Sequence, residues 1–150
     1  MSEPHCVTLP DGTQEWRVNG ELHREDGPAV VWANGTQFWY HHGKLHRDGG
    51  PAVMRANGDQ IWYRDGKRHR EDGPAMVLDG NNYFWYRDDH LHREDGPAMI
   101  WGIGDKLWYR NGKLHREDGP AIIWEDGSEE YWENNYQIDR HDQAKHYPKM

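Results

Sequence analysis

Residues 23–45 read HREDGPAVVWANGTQFWYHHGKL, one full period of a repeat, and that reading decides the fold. Written in rows of this length, the chain aligns Pro28, Pro51, Pro74, Pro97 and Pro120, each preceded by Gly and followed by Ala. The same period carries Trp16, Trp39, Trp62, Trp85 and Trp108, and also His23, His46, His69, His92 and His115, each His followed by Arg. Three ladders in one register describe about six copies of a 23-residue unit. The outermost copies are degenerate, as expected where terminal units face solvent: His5 and Cys6 stand in the Pro-Ala positions, and Asp139 where a His is due. A one-residue insertion between Asp126 and Tyr131 is expected, which moves the last unit to an offset of 24 and brings Trp132 and Arg140 into the Trp and Arg slots.

Each unit reads as two strands. Pro28 to Trp32 is a short apolar strand, Asn34-Gly35 a tight turn needing positive φ, and Thr36 to His41 the returning strand. A second turn follows at His42-Gly43, with counterparts at Asp65-Gly66 and Asn111-Gly112. Alternation along the returning strand puts Phe38 and Tyr40 on one face and Trp39 on the other. No window has the apolar spacing of an amphipathic helix, and the tail after Arg140 is the one place left for helix. The expected fold is therefore all-β: an elongated array of β-hairpins, an open antiparallel meander ribbon spanning one domain, 1–140, followed by a cap and frayed end at 141–150. A propeller is disfavoured because 23 residues do not supply the four strands of a normal blade.

Composition agrees with a thin structure. Only 35% of the 150 residues are hydrophobic, while nine Trp and eight Tyr supply large amphipathic surfaces. The net charge of −8 argues against coating nucleic acid or anionic membrane. Cys6 is the single cysteine, so no intrachain disulfide forms and a reducing, cytoplasmic setting is expected. The opening MSEPHCVTLPDG has no signal-type apolar run, and nothing is long enough to span a bilayer.

The alternation of an aromatic strand, an Asn-Gly or Asp-Gly turn, Gly-Lys-Leu-His-Arg and another short strand resembles a divergent form of the MORN repeat. Trp39-Tyr40, Trp62-Tyr63, Trp85-Tyr86 and Trp108-Tyr109 take the aromatic place. The HREDGPA signature at 23–29, 69–75, 92–98 and 115–121 is similar to repeats in uncharacterised proteins of bacteriophages and giant viruses. The resemblance covers roughly residues 5 to 140. It implies a ribbon of stacked hairpins and a scaffolding role, sometimes with lipid binding.

The His-Arg-Glu-Asp loops contain the residue types of metal and proton chemistry. Equivalent histidines, however, should lie two strand spacings apart, about 10 Å, which is too far to share an ion. No metal, cofactor or catalytic residue is therefore assigned. In the loop, Asp is expected to cap the turn, Gly to supply positive φ, Arg to pair with a carboxylate, and His to pack beside the aromatics. Trp16, Trp39, Trp62, Trp85, Trp108 and Trp132 are assigned to the repeat spine. Tyr40, Tyr63, Arg64, Tyr86, Arg87, Tyr109 and Arg110 are the candidate contact surface, with Lys67 and Lys113 in the adjoining turns. Recognition should draw on variable slots such as His41, Arg55, Asn82 and Gly102. The expected role is a non-enzymatic protein-binding module, an inhibitor of a host defence protein if the viral resemblance holds. Two other roles are capture of a small anionic, nucleotide-like ligand on Tyr63, Arg64, Tyr86 and Arg87, and nucleic-acid mimicry by Glu125, Asp126, Glu129, Glu130 and Glu133. Open sheet edges also allow a homodimer.

Overall fold

A computed structural model describes residues 3–148. It is nearly all β: among the described residues there are 22 short strands and one helix, Arg140–His146. The main feature is an open antiparallel meander of 14 strands, running from His5–Thr8 to Tyr136–Ile138 in chain order.

Each interior unit contributes four strand segments rather than two, whereas in the first and last units the returning strand runs unbroken as Gln14–Val18 and Glu129–Glu133. In the second unit Val30–Val31 pairs with Gln37–Phe38 in the main sheet, and Tyr40–His41 then pairs with Lys44–Leu45 in a separate small hairpin. The returning strand breaks at Trp39, whose amide turns aside to bond the Ala52 carbonyl while its own carbonyl receives His46 N–H. The ribbon therefore has two rows, an outer row of main-sheet hairpins and a second row of two-residue hairpins.

The turns differ between rows. In the outer row Ala33-Asn34-Gly35 forms a three-residue loop in which Gly35 alone has positive φ, and Asn34 Oδ1 accepts the Thr36 amide at 2.9 Å. In the second row both turn residues are left-handed, His42 at 48° and Gly43 at 76°. Equivalent first positions hold Asn19, Asp65, Asp88, Asn111 and Asn134.

The outer row carries a single apolar ladder. Phe38 lies opposite both Val30 and Val53, Ile61 opposite Val53 and Met76, Phe84 opposite Met76 and Met99, and Leu107 opposite Met99 and Ile122. Residues directly opposite share a face, so these side chains form one continuous strip. Beside it Ala29, Ala52, Ala75, Ala98 and Ala121 are completely buried.

The 23-residue register holds to the end of the array. Trp124 bonds Ser128 as Trp32 bonds Thr36, and Ile122 faces Glu130 as Val30 faces Phe38. There is no insertion, which corrects the sequence-based alignment of the last unit. Tyr131 occupies the Trp slot, and Trp132 occupies the Tyr slot, its carbonyl receiving Arg116 N–H as that of Tyr40 receives Arg24 N–H. Matching indole to indole misled the alignment, because the slot is defined by the backbone bond.

Beyond the last unit the chain turns helical. Asp139 caps the helix by accepting the Asp142 amide at 2.7 Å. Buried Gln143 donates to the carbonyls of Arg116 (2.6 Å) and Gly119 (2.8 Å). Tyr147 donates to Glu133 at 2.6 Å. The final two residues of the tail lie outside the described ones. No helix among the described residues is long and apolar enough to cross a membrane.

Candidate functional site

The HREDG loops line one side of the second row, and each is built in the same way. The Arg guanidinium lies over the indole of the preceding Trp: Arg24 on Trp16, Arg47 on Trp39, Arg70 on Trp62, Arg93 on Trp85 and Arg116 on Trp108, at 3.9–4.1 Å from the ring centroid. Its Nη1 donates to the Pro carbonyl four residues on, and in four of the loops its Nε donates to the Asp two residues on. Arg47, whose loop lacks that Asp, keeps the carbonyl bond and the stack. The Gly before each Pro does not have positive φ, contrary to the sequence-based reading. A Cβ there would stand 2.9–3.0 Å from the guanidinium carbon, so glycine makes room for arginine.

The loop histidines join one unit to the next. Nδ1 of His23, His46, His69, His92 and His115 accepts the amide of His42, Asp65, Asp88, Asn111 and Asn134 respectively, at 2.9–3.1 Å. An Nδ1 that accepts from N–H carries no proton, so each neutral ring holds its hydrogen on Nε2. That nitrogen faces the loop carboxylate, Glu117 at 3.3 Å from His115 and Asp48 at 3.1 Å from His46. Four of these five histidines are buried, whereas the assigned Trp spine is only half-buried under its arginines. Alanine and histidine are the buried ladders of the array.

On the outer turns a second polar ladder performs the same joining. Side-chain oxygens of Thr36, Asp59, Asn82 and Asp105 accept amides of Ala56, Asp79, Gly102 and Glu125 in the following turn. Burial opposes ionisation of Asp59, but the Asp79 amide together with Asn57 and Arg55 holds its carboxyl below the usual value. Gly102 sits so close to the Gly80 carbonyl that a Cβ would overlap it.

The expected contact residues are only partly available. Tyr40, Tyr63, Tyr86 and Tyr109 are half-buried, and burial pushes the hydroxyls of Tyr40 and Tyr109 above the ordinary value, with Tyr63 and Tyr86 adding to it. Arg64, Arg87 and Arg110 are exposed but face Glu71, Glu94 and Glu117 at 3.2–3.6 Å. These are surface pairs in which each guanidinium stays about half exposed. Open clefts of about 720, 900 and 780 Å³ separate consecutive HREDG loops, each lined by the same kinds of Arg, Glu and Asp side chains. In the acidic cluster Asp126 caps its own turn, Glu130 accepts from Trp124 and Gln137, and Glu133 accepts from His146 and Tyr147.

Two features escaped the sequence reading. The residue that closes the apolar strand before each outer turn is large and exposed in three units: Trp32 (46%), Trp101 (37%) and Trp124 (37%), with Ile103 at 71% beside Trp101. A comparison of repeat slots carries this signal, since the slot holds Leu9, Arg55 and Leu78 in the other three units. The second feature is local: His41 and His42, unlike the five-fold loop histidines, are neighbours of His23 in space. No protein-family model matches the chain, and no curated protein matches it.

Proposed function

We propose that this chain is a non-enzymatic protein-binding module that takes its partner along the outer turn edge of the ribbon. The observation that carries this reading is the row of Trp32, Trp101 and Trp124, three indoles presented to solvent from one repeat slot. Exposed aromatic side chains in register are the usual anchors of protein interfaces, whereas scattered ones need no explanation. Trp32 packs against Phe38 at 4.8 Å and Trp101 against Phe84 at 5.0 Å, so the rings are held by the apolar ladder in place for contact. Arg55 and Leu78 interrupt the row and give the edge a non-repeating pattern, which recognition needs and a scaffold does not. Against enzymatic chemistry stands the repetition of the loops, because an active site needs unlike groups converging at one place. The likeness of HREDGPA to phage and giant-virus repeats directs the search to a host protein of the cytoplasm, with inhibition of a defence factor as the role.

The test is affinity capture from lysate of the natural host. The intact chain is compared with Trp101→Ser/Trp124→Ser and with Tyr63→Ala/Arg64→Ala. One stoichiometric partner lost with the indoles and kept with the Tyr-Arg variant supports the reading. Loss with the Tyr-Arg variant alone moves the contact to the second row, and a partner retained by both variants removes the edge from consideration.

A further inference from the structure

The repeat is broken in one chemically pointed way. At the position where later units carry Arg64-Asp65, Arg87-Asp88 and Arg110-Asn111, the second unit has His41-His42. The left-handed first turn position is filled by Asn or Asp in five other places, residues that tolerate this backbone, and His42 at φ 48° is the exception. Its ring centroid stands 4.4 Å from that of His23 and 4.4 Å from that of His41, and His23 and His41 are 4.7 Å apart. One ring nitrogen from each of the three lies within 4.8 Å of the others.

We propose that His23, His41 and His42 form a binding site for a divalent transition-metal ion of the zinc class. Three imidazoles with an open fourth position are an established donor set for zinc. Tetrahedral Zn–N bonds of about 2.0–2.1 Å place ligand nitrogens about 3.4 Å apart, so the group must contract slightly. His41 and His42 are exposed, while His23 is buried and anchors the site. Glu25 lies 3.5 Å from His23 Nε2 and Glu21 3.8 Å from His42 Nδ1, carboxylates suited to offset the ion's charge. The cleft between the loops 24–28 and 46–48 has His41 in its lining.

Binding has one definite local consequence. His23 Nδ1 accepts the His42 amide, so its hydrogen is on Nε2. Ligation through Nε2 moves that hydrogen to Nδ1, turns the acceptor into a donor, and releases the His42 amide.

The experiment is titration of the tag-free full chain with Zn²⁺ by calorimetry, repeated with Co²⁺ by visible absorption. The comparison variant is His41→Arg/His42→Asp, which installs the Arg-Asp pair that the third and fourth units already carry and so keeps the fold. A His141→Ala variant controls for the separate group of Asp139, His141 and Asp142 near the helix. Expected are one ion per chain, at least tenfold weaker binding in the Arg-Asp variant, unchanged binding in His141→Ala, and faster hydrogen exchange at the His42 amide with metal. Equal affinity in the intact chain and the Arg-Asp variant overturns the site, as does the lack of binding by the intact chain at 100-fold excess of ion.

Discussion

The two rows of hairpins are built on the same backbone but held by different chemistry. The outer row is a continuous sheet with an apolar strip from Val30 to Ile122. The second row consists of two-residue hairpins joined at each step by two backbone bonds, such as Gly43 N–H to the Leu22 carbonyl and Arg24 N–H to the Tyr40 carbonyl, and by the imidazole that accepts the next turn's amide. A chain with 35% hydrophobic residues has aliphatic side chains enough for one row. The other is filled by stacked Arg and Trp, and by polar groups that satisfy one another. One row should therefore respond to lost volume, and the other to lost acceptors.

The sharpest probe of the first row is Phe84→Ala, which opens a cavity in the apolar strip and should cost about 3–4 kcal/mol in urea unfolding. A loss under about 1 kcal/mol would mean that the strip is not the core. In the second row, His92→Ala leaves the Asn111 amide without its acceptor and should cost about 2–3 kcal/mol. Exchange at the Asn111 amide should rise more than at the Trp85 amide, which bonds the Ala98 carbonyl. Equal protection at both amides would erase the distinction between rows. Gln143→Ala tests whether the helix serves the second row as its missing neighbour, with an expected cost of about 1–2 kcal/mol and loss of helical signal. Arg93→Lys keeps the charge but not the flat stack on Trp85 and should cost about 0.5–1 kcal/mol.

The smallest effect is confined to the tail. Its bond to Glu133, followed by burial, pushes the Tyr147 hydroxyl up to about 12. A folded value above the unfolded one means that this contribution is complete below about pH 10 and disappears as the pH rises through about 12. Glu133 is held below its ordinary value by Tyr147 and His146, so its share is present above the ordinary carboxylate range and is lost as the pH falls through the depressed folded value. Tyrosine absorbance and helical circular dichroism should change together on the alkaline side. Separate transitions would show that the helix does not depend on the bond.

Much of this architecture was legible in the letters. The period, the two turns per unit and the short strands followed from Pro-Ala, Asn-Gly and His-Arg recurring in step. What was hidden depended on backbone direction. Trp39 looks like a mid-strand residue, yet its amide leaves the strand for Ala52, and the returning strand of each interior unit is split in two there. His92 in a polar linker has the same spelling whether it faces solvent or accepts an amide from 19 residues ahead. Gly27 reads as a turn glycine until the guanidinium of Arg24 is found where its side chain would be. The expected contact row of Tyr and Arg was recognisable as a ladder, but the carboxylates that occupy its arginines come from the next loop. The edge indoles are hard to single out in the sequence because they fill their slot in only some units.

The unbroken register has a consequence for how such a chain changes length. In the second row every junction between interior units uses an amide at the same turn position, the loop imidazole and the same guanidinium-on-indole contact, so the junctions of that row are alike. A cut and rejoin at matching letters, for instance after Arg70 and after Arg93, removes one full unit and restores an identical seam. The molecule is in that sense a ruler graduated in steps of 23 residues and about 10 Å. Its outer edge can be lengthened or shortened by whole divisions of that scale.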